Sequence, residues 1–323
     1  MELGPGTAVH AACAALPRGR WLLAVSGGRD SMVLLHAMAR ARGAEVAAVA
    51  NFDHGTGAFA RRAALLVAAE SARLSLPFVA GVALTAESAT EAVWRAARHA
   101  FLDSLARELD ATVVTAHTRD DQIETVLQRL LRDAGPRGLA AMRATPLPGR
   151  LCELARRRPL IAVSRSTIAA FAHDHTVTFI EDPSNRTLAF QRNRVRHELL
   201  PALEAAVPGF GEWCWSLGER AADWRKALER FADTLGVTAP GTASEPNRVT
   251  LIVPAAPLAD CGPDEWGVLW PALAARVGVV MDRRGIERAS SWAPRARAGQ
   301  AIPLAGDATI ARTSATFVVR GTL

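Results

Sequence analysis

Four clusters of residues in this chain carry side chains that could do chemistry. The first is Ser26-Gly27-Gly28-Arg29-Asp30-Ser31, which directly follows five apolar residues, Trp21 to Val25. Two glycines let a backbone approach a ligand without Cβ clashes. A helix starting there would add orphan N–H donors and a dipole favourable to an anion. Ser26 and Ser31 can add hydroxyl donors. Asp30 would repel an anion unless a divalent cation lay between them or it acted on a second substrate. Neither the G-x-x-x-x-G-K-[ST] nor the G-x-G-x-x-G phosphate signature is present here. The second cluster, T-A-H-T-R-D-D-Q-I-E-T-V-L-Q-R-L-L-R from Thr115 to Arg132, holds His117, Asp121 and Glu124. Asp121 and Glu124 are three apart at a helix start and share a face. Two such carboxylates can hold Mg²⁺ or grip an ammonium group, or simply complement the helix dipole. His117 reads equally as a loop residue and as a site residue. The third cluster puts Arg95 and Arg98 on one helical face, as a phosphate or carboxylate contact or as a solvated basic face. The fourth, R-N-R-V-R-H-E from Arg192 to Glu198, has the density of a nucleic-acid backbone contact. Asp53-His54 is a weaker signal, close to ordinary loop composition.

These clusters need elements to hold them. Apolar runs predict strands over 21–25, 45–51, 77–82 and 111–116, and helical patterns follow over 29–40, 58–74, 87–109 and 119–132. Alternating strands and helices predict an α/β fold with a parallel sheet covered by helices on both faces. Ligands bind such sheets at the C-terminal strand ends, so Ser26–Asp30, Asp53-His54 and His117–Asp121 are expected to meet along one edge. Residues 135–149 read as a Gly/Pro-rich loop or flap. Residues 156–163 read as a basic turn into a strand, with Ser164 capping a helix that runs to 173. A short strand over 178–180 and a basic helix over 190–203 complete this part. After Pro208 the texture changes. Trp213, Trp215 and Trp224 suit the core of a small helical domain. A polar linker over 236–248, a helix over 265–280 and a closing β-hairpin over 301–320 follow. The expected division is a catalytic domain, 1–205, and a smaller, mainly helical domain, 206–323, that ends in a β-hairpin.

Composition narrows the class. Half of the 323 residues are hydrophobic, net charge is +6, and mean hydropathy is only +0.10. No apolar run reaches the length of a membrane span, and the first residues do not resemble a secretory signal, so a cytoplasmic protein is expected. Lys226 is the single lysine, so phosphate contacts here would be guanidinium forks rather than ammonium charges. Cys13, Cys152, Cys214 and Cys261 are scattered, with no C-x-x-C pair. A structural zinc or iron–sulfur site is therefore not expected.

Taken together, the segments resemble the tRNA(Ile)-lysidine synthase family of the PP-loop ATP pyrophosphatases. S-G-G-R-D-S, the D-H-G loop, W-R-A-A-R-H-A-F and T-A-H-T-R-D-D-Q-I-E-T-V-L-Q-R-L-L-R carry the likeness. So do R-G-L-A-A-M, R-R-P-L-I-A-V-S-R, E-D-P-S-N and R-N-R-V-R-H-E-L-L-P, all in the family's order over about residues 20–205. The resemblance implies that ATP adenylates the wobble cytidine of a tRNA(Ile) with a CAU anticodon, and that free L-lysine then displaces AMP to give lysidine. It implies ATP and Mg²⁺ as reactants, with tRNA and lysine as partners, no membrane, and a homodimer among the open assemblies. Ser26, Gly27, Gly28, Arg29, Asp30, Ser31, Asp53, His54 and His117 would bind ATP. Asp30, Asp121 and Glu124 would be catalytic, with Asp30 and Asp121 toward the metal. Arg95, Arg98, Asp121 and Glu124 would meet lysine or phosphate. Asn193, Arg194 and Arg196 would hold tRNA or lock the flap, and 206–323 would add a further tRNA contact. Departures from the family pattern are Thr118 for a second histidine, His99 for tyrosine, Thr56-Gly57 after D-H-G, and Pro136 in the flap. Two other readings remain: a tRNA 2-thiolase, disfavoured by the missing cysteine pair, and a tRNA-binding relative without catalysis, disfavoured by the intact S-G-G-R-D-S and acid pair.

Overall fold

Strand β1 (Trp21–Ala24) is apolar on both faces, and the first half of the chain is arranged around it. The computed structural model describes residues 4–53, 57–83, 91–143, 156–181, 187–188, 191–240, 248–304 and 306–322. The chain divides into two compact units. One comprises Met1–Ala144 with Leu154–Ala222, the other Thr145–Glu153 with Asp223–Leu323. Compactness thus divides the chain later than composition does, inside a helix.

In the first unit β1 pairs in parallel with β2 (Val46–Asp53) on one side and β4 (Thr112–Val114) on the other. Strands β3 (Phe78–Val82) and β5 (Arg156–Arg157) extend the sheet to the order β3-β2-β1-β4-β5. The order reverses between β1 and β4, which opens a crevice at their carboxyl ends. Side chains alternate across the sheet. Trp21, Leu23, Val49 and Val114 enter one core with α1 (Pro5–Ala14), α2 (Arg29–Arg42), α3 (Ala58–Arg73) and α7 (Arg165–Asp174). Leu22, Ala48, Ala50 and Val113 enter the other with α4 (Glu91–Glu108). The covered faces and parallel strands are those expected from the sequence. Met32, Leu34, Leu35 and Met38 of α2 are fully buried, each contributing about 1.5–3 kcal/mol. This fixes the helix whose N-terminus follows the glycine turn.

The first unit also contains α5 (Arg119–Leu130), the one-turn α6 (Pro136–Leu139), α8 (Gln191–Arg194), α9 (Leu200–Ala206) and the first half of α10 (Phe210–Leu235). Three local expectations change. Residues 156–163 are not a turn into a strand: the strand comes first, as β5, and Pro159–Ala162 follows as a 3-10 turn. Residues 178–180 are not a strand; instead the Ile180 N–H donates to the Gly27 carbonyl at 3.0 Å. The basic helix over 190–203 is broken by a π-turn, Val195–Leu199, between α8 and α9. Pro201 has no N–H for the ladder there. The cap expected at Ser88 lies outside the described residues.

The second unit holds the rest of α10, then α11 (Pro263–Ala274) and α12 (Arg283–Trp292). The expected closing hairpin is β9 (Thr309–Arg312) with β10 (Thr316–Thr322), and it belongs to a larger antiparallel sheet. Strands β6 (Val237–Pro240), β7 (Arg248–Pro254) and β8 (Ala301–Pro303) complete the order β6-β7-β10-β9-β8. β6 and β7 fall at the ends of the stretch read as a linker. Trp266, Trp270 and Phe317 form the centre of this core, with Trp266 and Trp270 stacked at 4.7 Å. Trp213 and Trp215 belong to the first unit instead.

Gly27 sits at φ +85°, and an added Cβ would lie 3.1 Å from the Ala63 Cβ and 3.3 Å from its Cα. Gly27→Ala is expected to destabilise the protein by about 1–3 kcal/mol, read as a lower urea midpoint. An unchanged midpoint would contradict the role given to this turn.

Candidate active site

The turn after β1 is held open toward solvent by its own side chains. The Ser31 hydroxyl accepts from the Ser26 N–H at 3.1 Å and donates to the Gly28 carbonyl at 2.8 Å, while the Ser26 hydroxyl lies 3.2 Å from it. Gly28 is the N-cap of α2 and brings no side-chain acceptor. The first-turn N–H groups of α2 are therefore available to an anion. Asp30 lies in that first turn, with Arg29 Nε 3.4 Å from its Oδ1. Burial raises the Asp30 pKa, and the negative charge of Asp121 raises it further, against Arg29 and Arg165. Asp30 on α2 and Asp121 on α5 therefore act on each other across the β1/β4 crevice.

The acid pair is almost wholly buried, Asp121 at 5% and Glu124 at 1% exposure. Thr118 N-caps α5 in a capping box. Its N–H and hydroxyl donate to Asp121 Oδ2 at 2.8 and 3.0 Å. The threonine that departs from the family pattern thus orients the site carboxylate. Three guanidinium groups meet the pair. Asp121 Oδ1 receives Arg192 at 2.7 Å, Arg196 at 3.2 Å and Arg165 at 3.3 Å. Glu124 Oε1 receives Arg196 Nε at 2.8 Å and Arg165 at 3.0 Å, and its Oε2 receives Arg196 Nη2 at 2.9 Å. Burial by itself would raise the Asp121 pKa. Arg192, the Thr118 amide and Arg165 outweigh it and hold the carboxyl below the ordinary range. Burial likewise opposes the charge on Arg196, but its bonds to Glu124 raise its pKa. The helix-dipole reading of Asp121 is partly right, because the residue closes a cap as well as lining the site.

His117 follows β4, with Nδ1 2.9 Å from the Thr115 hydroxyl. Burial lowers its pKa to about 4, helped by Arg158, Arg192 and Arg95 and opposed by Asp121. His99 on α4 is also lowered to about 4, by burial and then by Arg156, Arg95, Arg98 and Arg158. Both imidazoles are neutral near pH 7, and the arginines around them make this wall of the crevice electropositive. Arg95 is exposed and Arg98 is half-buried. Asp53 ends β2, where its carbonyl accepts the Ala83 N–H at 2.8 Å. His54 lies outside the described residues.

The fourth cluster is split. Arg194 is exposed, but Asn193 is buried and its Nδ2 donates to the Thr187 carbonyl at 2.8 Å. Arg196 faces the acid pair. Asn193 and Arg196 therefore point inward, because the turn of α8 that exposes Arg194 carries its neighbours under the surface. Sequence reasoning missed Arg165 and Arg192 as partners of the acids. Arg165 follows the N-cap Ser164, and only the crossing of α7 with α5 brings it to Glu124. Gln122, between the two acids, is fully buried and holds the flap. It donates to the Ala140 carbonyl at 3.2 Å and accepts the Met142 N–H at 2.8 Å.

A model of the PP-loop domain family matches residues 7–203. A tRNA(Ile)-lysidine synthase of Pseudomonas fluorescens is 38% identical over 197 residues, covering 60% of this chain and 44% of that protein. One from Novosphingobium aromaticivorans is 36% identical over 234 residues and covers 71% of each chain. The chain belongs to the tRNA(Ile)-lysidine synthase family. It spans about half the length of several of the curated relatives it matches. A solved U34-tRNA thiolase from Methanococcus maripaludis has the same fold, with a TM-score of 0.55 at 13% identity over 68% of this chain and 78% of that one. The family match takes in the glycine turn, the acid pair and all three arginines that meet it.

The two depressed imidazoles give the molecule a pH signature. Unfolded histidine takes up its proton near 6.5, whereas His99 and His117 in the folded chain do so near 4. Between these values the unfolded state binds more protons, so their contribution to stability falls as pH drops from about 6.5 to about 4. Asp30, with its raised pKa, acts in the opposite sense. A His99→Gln, His117→Gln variant is expected to show a shallower loss of stability over that window than the parent chain. Its urea midpoint measured against pH checks this, and parallel curves would exclude it.

Proposed function

We propose that this chain joins free L-lysine to the wobble cytidine of a tRNA(Ile) bearing a CAU anticodon, with ATP as the activating substrate. One observation carries the reading: the glycine turn leaving β1 and the acid pair on α5, after β4, rise from adjacent parallel strands at the β1/β4 crevice. Such a site can hold a triphosphate on one side and a cation on the other.

The chemistry follows from these groups. Gly27, Gly28 and the α2 N-terminus would hold the phosphates, with Ser26, Arg29 and Ser31 beside them. The cytidine 2-oxygen attacks the α-phosphorus and diphosphate leaves. The lysine ε-amine, once it has lost its proton, then attacks C2, and AMP leaves. Asp121 and Glu124 would hold that amine as ammonium before it reacts. His117, neutral near pH 7, is available as a hydrogen-bond partner at the nucleotide side. The exposed Arg95, with Arg98, would neutralise phosphate charge, and Arg194 would contact the tRNA backbone. Asp30 suits Mg²⁺. It is a hard oxygen donor beside the phosphate turn, and its raised pKa reflects an unfavourable carboxylate charge that a cation would relieve. Mg²⁺ bound there would screen the triphosphate from that carboxylate. Asp121 is less suited to metal in this arrangement, because both its oxygens are already bonded to Thr118 and the arginines.

A sulfur-transfer reading finds less support. Cys13 is buried in the core and its thiol is pushed up to about 12, while Cys214 is pushed up to about 11. Neither is a ready thiolate. No helix among the described residues is long and apolar enough to cross a membrane.

Incubation with ATP, Mg²⁺, labelled lysine and a tRNA(Ile) transcript should transfer label to RNA and release AMP. No transfer at high enzyme concentration would sink the proposal. Asp30→Ala should lower turnover at least about 100-fold while tRNA binding in a filter assay stays near the parent value.

A further inference from the structure

All four carboxylate oxygens of the acid pair are engaged. Thr118 takes Asp121 Oδ2, three guanidinium groups crowd Oδ1, and Arg165 and Arg196 take the oxygens of Glu124. A carboxylate offers about four acceptor sites, so a substrate ammonium finds little unclaimed. Every oxygen of the pair already has a donor, so a cation reaches these oxygens by exchange.

The three arginines are not held equally. Arg196 makes a two-pronged bond to Glu124, Nε to Oε1 at 2.8 Å and Nη2 to Oε2 at 2.9 Å, the strong geometry for this pair of groups. Arg165 is anchored twice, by its side chain to Glu124 and by its backbone N–H to Asp120 Oδ2 at 2.7 Å. Arg192 makes one hydrogen bond to the pair, at 2.7 Å to Asp121, and its Nε stays 3.6 Å from Glu124 Oε2. Its side chain is 40% exposed, against 23% and 22% for Arg165 and Arg196. Removing it from the pair returns the guanidinium to water at the lowest cost of the three.

We propose that Arg192 is a built-in occupant of the amine seat: its guanidinium holds the place between Asp121 Oδ1 and Glu124 Oε2, and the entering substrate ammonium displaces it. This rests on the reading of the acid pair as an amine site. The exchange keeps the buried acids paired at every stage, where an unpaired buried charge would be strongly destabilising. It also lowers the apparent affinity for the amine, because the seat is free only for the fraction of time that Arg192 is out. Arg192 is thus a positioning residue that sets how tightly the amine is held.

The test is equilibrium dialysis of labelled L-lysine against the full chain, its Arg192→Ala and Arg192→Lys variants, and Asp121→Asn as a control, each checked for an unchanged thermal midpoint. Arg192→Ala is expected to bind lysine roughly tenfold tighter than the parent. Arg192→Lys, which keeps a cation at the seat, should return toward the parent value, and Asp121→Asn should abolish binding. Tighter binding is a readout that mere structural damage does not produce. If the parent binds lysine and Arg192→Ala binds it equally or more weakly, the occupant role is overturned and the amine site stands. If neither protein binds lysine, or Asp121→Asn leaves binding unchanged, the amine site itself falls and the occupant role with it.

Discussion

A pair of carboxylates buried to within a few per cent of complete has to be compensated, and the first unit is built to compensate it. Removing one partner from a buried ion pair typically costs about 3–5 kcal/mol. Here the compensation arrives from three directions: Thr118 at the α5 N-terminus, Arg165 on α7, and Arg192 and Arg196 from α8 and the π-turn. These segments are far apart in sequence. The charge of Asp121 and Glu124 is what ties them to one point, so α7, α8 and the π-turn are secured by the same interaction that shapes the site.

That point lies where it does because of strand order. β1 has β2 on one side and β4 on the other, so the turns leaving β1 and β4 diverge and leave a crevice. The glycine turn enters α2 on one wall and Thr118 starts α5 on the other. Gly27, in the left-handed region and packed on Ala63, lets the first wall come close. The resulting site has a floor of acids matched by arginines and a rim of backbone amides and arginines that attracts anions. The two depressed histidines lie among arginines of that rim.

The PP-loop family model matches residues 7–203, nearly all of them in this unit. The second unit has a separate core of Trp266, Trp270 and Phe317 beneath an antiparallel sheet. Within the matched part, Thr118 supplies both the cap of α5 and a hydroxyl to Asp121. His99 is kept neutral by burial and by the arginines around it.

The sequence by itself determined the alternating strands and helices of the first unit, the glycine turn at Ser26–Ser31, and the candidacy of Asp121 and Glu124. Each of these is local: an apolar run, a Gly-Gly pair, or two acids at i and i+3 is visible within one turn or strand. Tertiary structure alone decided the rest. Arg165 and Arg192 lie 44 and 71 residues from Asp121, and no spacing rule links them to it. Asn193 and Arg196, three apart, share a helix face while Arg194 lies off it, but that this face turns inward, toward the Thr187 carbonyl and the acid pair, is set by the fold. Strand β6 lies inside the stretch read as a linker because its four residues gain their stability from pairing with β7, which starts at that stretch's last residue, Arg248. The sequence could name the charged residues. Which of them neutralise one another is a matter of distance in the folded chain, and only the fold sets those distances.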